Sequence, residues 1–382
     1  MKSISTILIP IIVGLCSVFL FRDRIDDLTT TLKKYYNDNY ITTTPETHEQ
    51  ANALPRTTTP ATEQQPEEQQ HHLYATDMSV PRTIRKVFMA IEQAEGAGAR
   101  VRRSIGTPAL RQFSPFLMLD HFSIKPGAGF PDHPHRGQET ITYLLTGAVD
   151  HEDFAGNKGT IEAGDLQFMT AGRGIMHAEM PRQNPDGSAN VGLQLWVDLP
   201  THLKSCEPRY RDLRAAEIPR AEVDDGKVAV KIISGQSHGV DSVKDLAYTP
   251  VWILDITIQP GGKISQPLPE GWNAFAYTLD GGDVILRDGA GTGARTVPQY
   301  HMVVFEPKGD VVVAEVDAGA DQPARFVLVA GTPLDQPVVQ HGPFVVNSKE
   351  EIYKAIFDFQ THSNGFERAK GWESEIGKSM RD

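Results

Sequence analysis

The chain is short of several things, and each shortage closes off a class of function. Only two cysteines occur, Cys16 inside an apolar run and Cys206. So few, so placed, cannot build a disulfide framework, and the body reads as suited to a reducing compartment. No lysine- or arginine-rich run interrupts a formal net charge of -12. Phosphate neutralisation therefore cannot drive direct binding to DNA or RNA, and any nuclear role would act through a protein partner. No Asn-x-Ser/Thr sequon is present, which disfavours passage of the body through a glycosylating lumen. A Walker loop, a dinucleotide glycine motif, a Gly-x-Ser-x-Gly elbow and a cysteine-rich zinc pattern are all missing, so hydrolase and nucleotide-dependent chemistries have no foothold.

What is there begins with 18 uncharged residues, Ile4 to Phe21, with Lys2 before them and Arg22 and Arg24 after. A spanning helix needs roughly 17–25 such residues. Membrane anchor, secretory signal and organellar presequence compete here. Asp23, Asp26 and Asp27 argue against an acid-poor presequence, and no small-x-small cleavage site is evident. Segment 4–21 is thus expected to be a membrane anchor with the body facing the cytosol, although positive charge on both flanks leaves the orientation open. Residues 37–79 turn to Thr, Gln, Glu, Pro and His and read as a flexible linker, with His71 and His72 as solvated side chains. The 382 residues, 40% hydrophobic, leave room for two further domains, expected at 80–205 and 206–382.

From Arg82 onwards short β-type runs such as TITYLLTG, VGLQLWVDL and VWILDITI alternate with Gly, Asp and Pro turn signals. The pattern predicts an all-β protein of sandwich or barrel domains. One helix is expected near the C-terminus, where Ser348 and Glu351 form a capping box and Ile352, Ile356 and Phe359 share a face. The chain also repeats. Lys125 to Gly147 aligns without gaps on Gln259 to Gly281 at an offset of 134, taking Tyr143 to Tyr277 and Gly147 to Gly281. Two copies of one β domain follow. In the second copy Pro267, Pro269 and Asn273 stand where the first has His133, His135 and Glu139.

Residues two apart on a strand share a face, so His133 and His135 point together, as do His177 and Glu179 in GRGIMHAEMP. If the two strands oppose each other, three imidazoles and a carboxylate converge on a divalent metal, with iron, copper, nickel and zinc all compatible. His121 and His151 lack a same-face partner and are expected to make hydrogen bonds or lie at the surface. Arg136 and Arg173 are expected in local salt bridges, and Trp196 and Trp252 in the core.

The stretch from His133 to Pro181, the upstream LMLDHF and the ending PVVQHGPFVVNSKEEIYKAIFDFQ together resemble the pirin family, bicupins of the cupin superfamily, over about Val80 to Lys378. That resemblance implies one iron, Fe(II) or Fe(III), held in the N-terminal cupin by His133, His135, His177 and Glu179, and a metal-free C-terminal cupin. The general cupin pattern would instead take its carboxylate from Glu139, which here is assigned a hydrogen-bonding role beside the ligands. The resemblance also implies a quercetin 2,3-dioxygenase acting on flavonols, with Glu179 or Glu139 accepting the substrate proton. The alternative is a non-catalytic, redox-sensing nuclear coregulator acting through a transcription-factor partner. A cupin with a chiefly structural metal is the third reading. The family implies cytoplasm or nucleus; the apolar N-terminus departs from that pattern.

Overall fold

A computed structural model describes residues 79–291 and 293–378. The expected anchor at 4–21, the expected linker 37–79 except its last residue, and the histidines 71 and 72 lie outside the described residues. Among the described residues no helix is long and apolar enough to cross a membrane.

The architecture is all-β in two halves of matching topology, each a seven-stranded sheet facing a four-stranded one. In the first half the large sheet centres on Gln138–Thr146, Asn190–Asp198 and Phe116–Ile124, and the small sheet contains Phe130–His135, Ile175–Pro181, Ala148–Asp153 and Lys158–Glu162. In the second half Asn273–Thr278, Ala324–Gly331 and Val251–Ile258 take the corresponding central places. Register is fixed by alternation. Ile141, Tyr143, Leu193 and Leu195 leave one face of the first large sheet and meet Phe275, Tyr277, Val327 and Val329 from the second in a shared core. The opposite face of each sheet lines the interior of its own barrel. Each fully buried aliphatic or aromatic side chain contributes about 1.5–3 kcal/mol, so this seam is a folding core and not a loose contact between modules.

The halves do not divide at 205/206 as the sequence suggests. Ile84–Met89 pairs with His301–Phe305 on the edge of the second large sheet, while Arg209–Leu213 pairs with Leu166–Thr170 on the edge of the first. Each half therefore closes an open edge with a strand from the other's side of the boundary, which removes unpaired backbone donors and acceptors. Arg82, buried beside the first of these, donates to the carbonyls of Trp272 and Pro269, each at 2.6 Å. The C-terminal helix Lys349–Thr361 starts as expected, with the Ser348 hydroxyl accepting from the Glu351 N–H and the Glu351 carboxylate accepting from the Ser348 N–H. It packs with Phe344 and Phe366 against Phe154 and Met176 of the first half, the opposite half from the one it follows in sequence.

Candidate metal centre

The strand Phe130–His135 pairs antiparallel with Ile175–Pro181, and the register sets His177 directly across from His133. His135 lies two residues along, on the same face. The sequence thus places three imidazoles on the inner wall of the first barrel, and their donor atoms lie within 4.8 Å of one another. His135 and His177 are each 1% exposed, and His133 is half-buried. Burial holds the His135 and His177 imidazoles well below the ordinary range, with the neighbouring His133 adding to the effect. They are neutral, as metal ligands must be.

Each ring is held by its Nδ1 atom. The Nδ1–H of His133 donates to the Pro131 carbonyl at 2.8 Å; Nδ1 of His135 meets Gln138 Nε2 at 3.0 Å; Nδ1 of His177 meets the Tyr210 hydroxyl at 3.4 Å. The Nε2 atoms therefore face inward. Those of His133 and His177 are 2.9 Å apart, and two nitrogens about 2.1 Å from one ion and at right angles across it stand about 3.0 Å apart. His135 Nε2 is buried with no hydrogen-bond partner. A buried orphan of this kind is costly, and a metal ion would resolve it. The three imidazoles can thus hold a metal ion.

Glu179 projects from the same strand face as His177, but a register irregularity separates the two. Its carboxylate accepts from the Thr142 hydroxyl at 3.2 Å and from Gln194 Nε2 at 3.0 Å, and it lies outside the three-histidine group. Thr142 and Gln194 are cross-strand neighbours on the facing sheet, so Glu179 spans the barrel interior.

Glu139 is placed differently from the expectation. Counting by twos from His133 puts it on the ligand face, but the strand ends at His135 and the next begins at Gln138. Between them Gly137 has φ +82°, and a Cβ there would collide with the Val345 carbonyl. That left-handed step resets the alternation, so Gln138, Thr140 and Thr142 turn inward while Glu139 turns out toward the second half. Its carboxylate accepts from the Thr170 hydroxyl at 2.8 Å and from the backbone N–H groups of Tyr248 and Thr249 at 3.0 and 3.2 Å. Glu139 is a clasp between the halves, and no proton-transfer role for it is carried further.

The remaining candidates divide. His121 is buried between Tyr277 and Tyr300, with Nδ1 3.3 Å from the Tyr277 hydroxyl, and burial pushes its pKa down to about 4. His151 bonds Asp212 at 3.3 Å and stacks on Tyr210. Arg136 pairs with Asp358 at 2.8 Å and donates to the carbonyls of Arg173 and Asn364, while Arg173 makes an exposed pair with Glu207. Trp196 is not core: half-buried, it sets its ring against His135 at 5.0 Å and donates Nε1–H to Gln194 Oε1 at 3.3 Å. Trp252, also half-buried, packs on Trp272. Sequence reasoning missed Gln138, Thr142, Gln194 and Tyr210. Polar residues at alternate positions of otherwise apolar strands could have flagged the first three; Tyr210 arrives on an exchanged edge strand and carries no local signal.

Residues 98–197 match the family model described as Pirin, and residues 253–365 match the one described as the Pirin C-terminal cupin domain. The chain is 48% identical to a pirin-like protein of Solanum lycopersicum over 299 residues, 78% of this chain and 98% of that one. It is 48% identical to pirin of Homo sapiens over 297 residues, 77% of this chain and 98% of that one. A crystal structure of quercetin 2,3-dioxygenase from Acinetobacter baumannii superposes with a TM-score of 0.66 at 28% identity, over 74% of this chain and 98% of that one. Paired cupin domains, one lined by histidines, together with this depth of likeness across nearly the whole described body, make the chain a member of the pirin family.

Proposed function

We propose that the chain is a metal-dependent dioxygenase of flavonol-type substrates, with iron held by His133, His135, His177 and Glu179. The observation that carries this is the inward convergence of three Nε2 atoms whose Nδ1 atoms are each engaged from behind. Four protein donors leave vacant positions on a six-coordinate ion, and the metal, when bound, mediates electron flow between an oxygen-chelating substrate and dioxygen. The likeness to a structure titled quercetin 2,3-dioxygenase supports the substrate class.

The chain's own residues do the rest. Trp196, set edge-on to His135, offers a flat apolar wall for an aromatic substrate. Gln194, its amide oxygen occupied by Trp196 and its amide nitrogen by Glu179, orients the carboxylate. Glu179 is the base on the ligand wall and takes the hydroxyl proton of the flavonol. Thr142 holds its other oxygen.

The test incubates the full chain with iron(II), quercetin and dioxygen, following loss of flavonol absorbance and release of carbon monoxide. Turnover that disappears in Glu179→Gln with the fold retained is expected. A fully iron-loaded protein that leaves quercetin intact would rule the enzyme out. One observation favours the coregulator as second reading: Arg136, next to His135, is bonded to Asp358 of a helix whose outer face exposes Tyr353 and Phe357. Binding of a transcription-factor partner that changes with the iron oxidation state, with no turnover, would select it.

A further inference from the structure

Three buried side-chain atoms among the described residues have no hydrogen-bond partner: Arg82 Nε, His135 Nε2 and Gln138 Oε1. The last two belong to residues bonded to each other, with Gln138 Nε2 3.0 Å from His135 Nδ1 and 3.1 Å from the Pro343 carbonyl oxygen. An amide nitrogen has only hydrogens to offer. One goes to Pro343, so the other goes to His135 Nδ1, which must accept. The neutral imidazole then carries its hydrogen on Nε2, aimed into the histidine cluster, where it blocks ligation.

The other two histidines differ. Pro131 can only accept, so His133 is fixed as the Nδ1–H tautomer with Nε2 free. His177 Nε2–H then donates to His133 Nε2, and its Nδ1 accepts from Tyr210. A hydroxyl reverses from donor to acceptor by rotating about its own bond. An amide cannot: it has to turn over.

We propose that Gln138 is the positioning residue that selects the metal-binding nitrogen of His135, and that its amide turns over when the metal enters. The inference rests on the metal-site reading above. Turned, Oε1 accepts from Nδ1–H, and the Nε2 lone pair is released to the metal. No proton is gained or lost; the imidazole stays neutral and its hydrogen moves from Nε2 to Nδ1. The rotation pairs Oε1 and frees His135 Nε2 for the metal at the expense of the amide N–H, which moves to the place Oε1 had occupied; the Pro343 carbonyl gives up its amide donor and keeps the Arg136 N–H. Through that carbonyl the chain's C-terminal segment enters the ligand shell, since Pro343 also accepts from the Arg136 N–H at 3.2 Å and Val345 donates to the Arg136 carbonyl at 2.9 Å.

The test uses zinc(II), which is redox-inert, with full-length wild type, Gln138→Met and Gln138→Glu. Long-range nitrogen–proton spectra of the histidine rings in metal-free protein should show His135 with hydrogen on Nε2 in wild type and on Nδ1 in Q138E, whose carboxylate only accepts. Chelator competition should give Q138M a zinc affinity about 10–100-fold weaker than wild type, and Q138E an affinity at least equal to wild type. Equal affinity in Q138M, or Q138E as weak as Q138M, would overturn the role of Gln138 while leaving the site intact. Zinc binding that is absent from wild type would overturn the site reading and the inference with it.

Discussion

At the offset of 134, the interior residues Thr140, Thr142, Gln194 and Trp196 of the first barrel become Ala274, Ala276, Leu328 and Ala330 in the second, all buried in its apolar core. His133 and His177, paired across two strands, become Pro267 and Val311, paired in the same register. Glu179 becomes Val313. The outward residues behave oppositely: Tyr143 and Tyr277 both survive into the shared core. Glu139 and its counterpart Asn273 both reach across to the other half, the carboxylate accepting from Tyr248 and Thr249, the amide donating to the Ser114 carbonyl at 2.6 Å. The copies thus keep the face that joins them and diverge on the face that each encloses. Polar donors inside a barrel serve chemistry at the expense of burial, and the second barrel has given up the one for the other.

The largest effect expected from probing this contrast is His177→Ala. Elemental analysis should fall from about one metal per chain to near none, because the remaining donors no longer surround an ion. A protein that keeps its metal would place the site elsewhere. Next comes a reciprocal pair at one repeat position. Leu328→Ala should cost about 2–5 kcal/mol of stability by leaving a cavity, with metal content per folded molecule unchanged. Gln194→Leu, which copies the second half into the first at this position alone, should lower the melting temperature by stripping the buried Glu179 carboxylate of a donor, and weaken metal binding about tenfold. Should Gln194→Leu bind metal as well as wild type, the polar interior would not be the price of the site.

The smallest effect concerns the face that the copies share. Glu139→Gln should retain full metal and lose about 1–3 kcal/mol, since one amide oxygen replaces two carboxylate acceptors. Burial raises the Glu139 carboxyl above its ordinary value, and the N–H groups of Tyr248 and Thr249 and the Thr170 hydroxyl offset only part of that. A carboxyl raised in the fold contributes stability that is fully present below its unfolded pKa and lost as pH rises through the folded one. The margin of wild type over Glu139→Gln should therefore widen as pH is lowered toward the ordinary value of 4.5 and narrow above it. Paired thermal melts between acid and neutral pH check the slope, and a margin that moves the other way contradicts the assignment.

Much of this was legible in the chain. Alternation by twos set His133 with His135 and His177 with Glu179, because side-chain parity is a local property of a strand. The gapless repeat announced two domains. What parity could not convey was the step at Gly137: one left-handed residue moved Glu139 off the ligand face and brought Gln138 onto it. Nor could local sequence show that Trp196, set among Leu195 and Val197, faces the opposite way from both. The exchanged edge strands depend on pairings between distant residues, Met89 with His301 in one and Arg209 with Thr170 in the other, and no short window records them.

The clamp around Arg136 and Gln138 has an order in time as well as in space. Asp358, Asn364 and Pro343, which grip these two residues, belong to the closing stretch of the polypeptide. A ribosome that has finished the histidine strands has not yet supplied their brace. A chain interrupted before Pro343 would therefore keep His133, His135 and His177 but lack the groups that hold Arg136 and Gln138 in place.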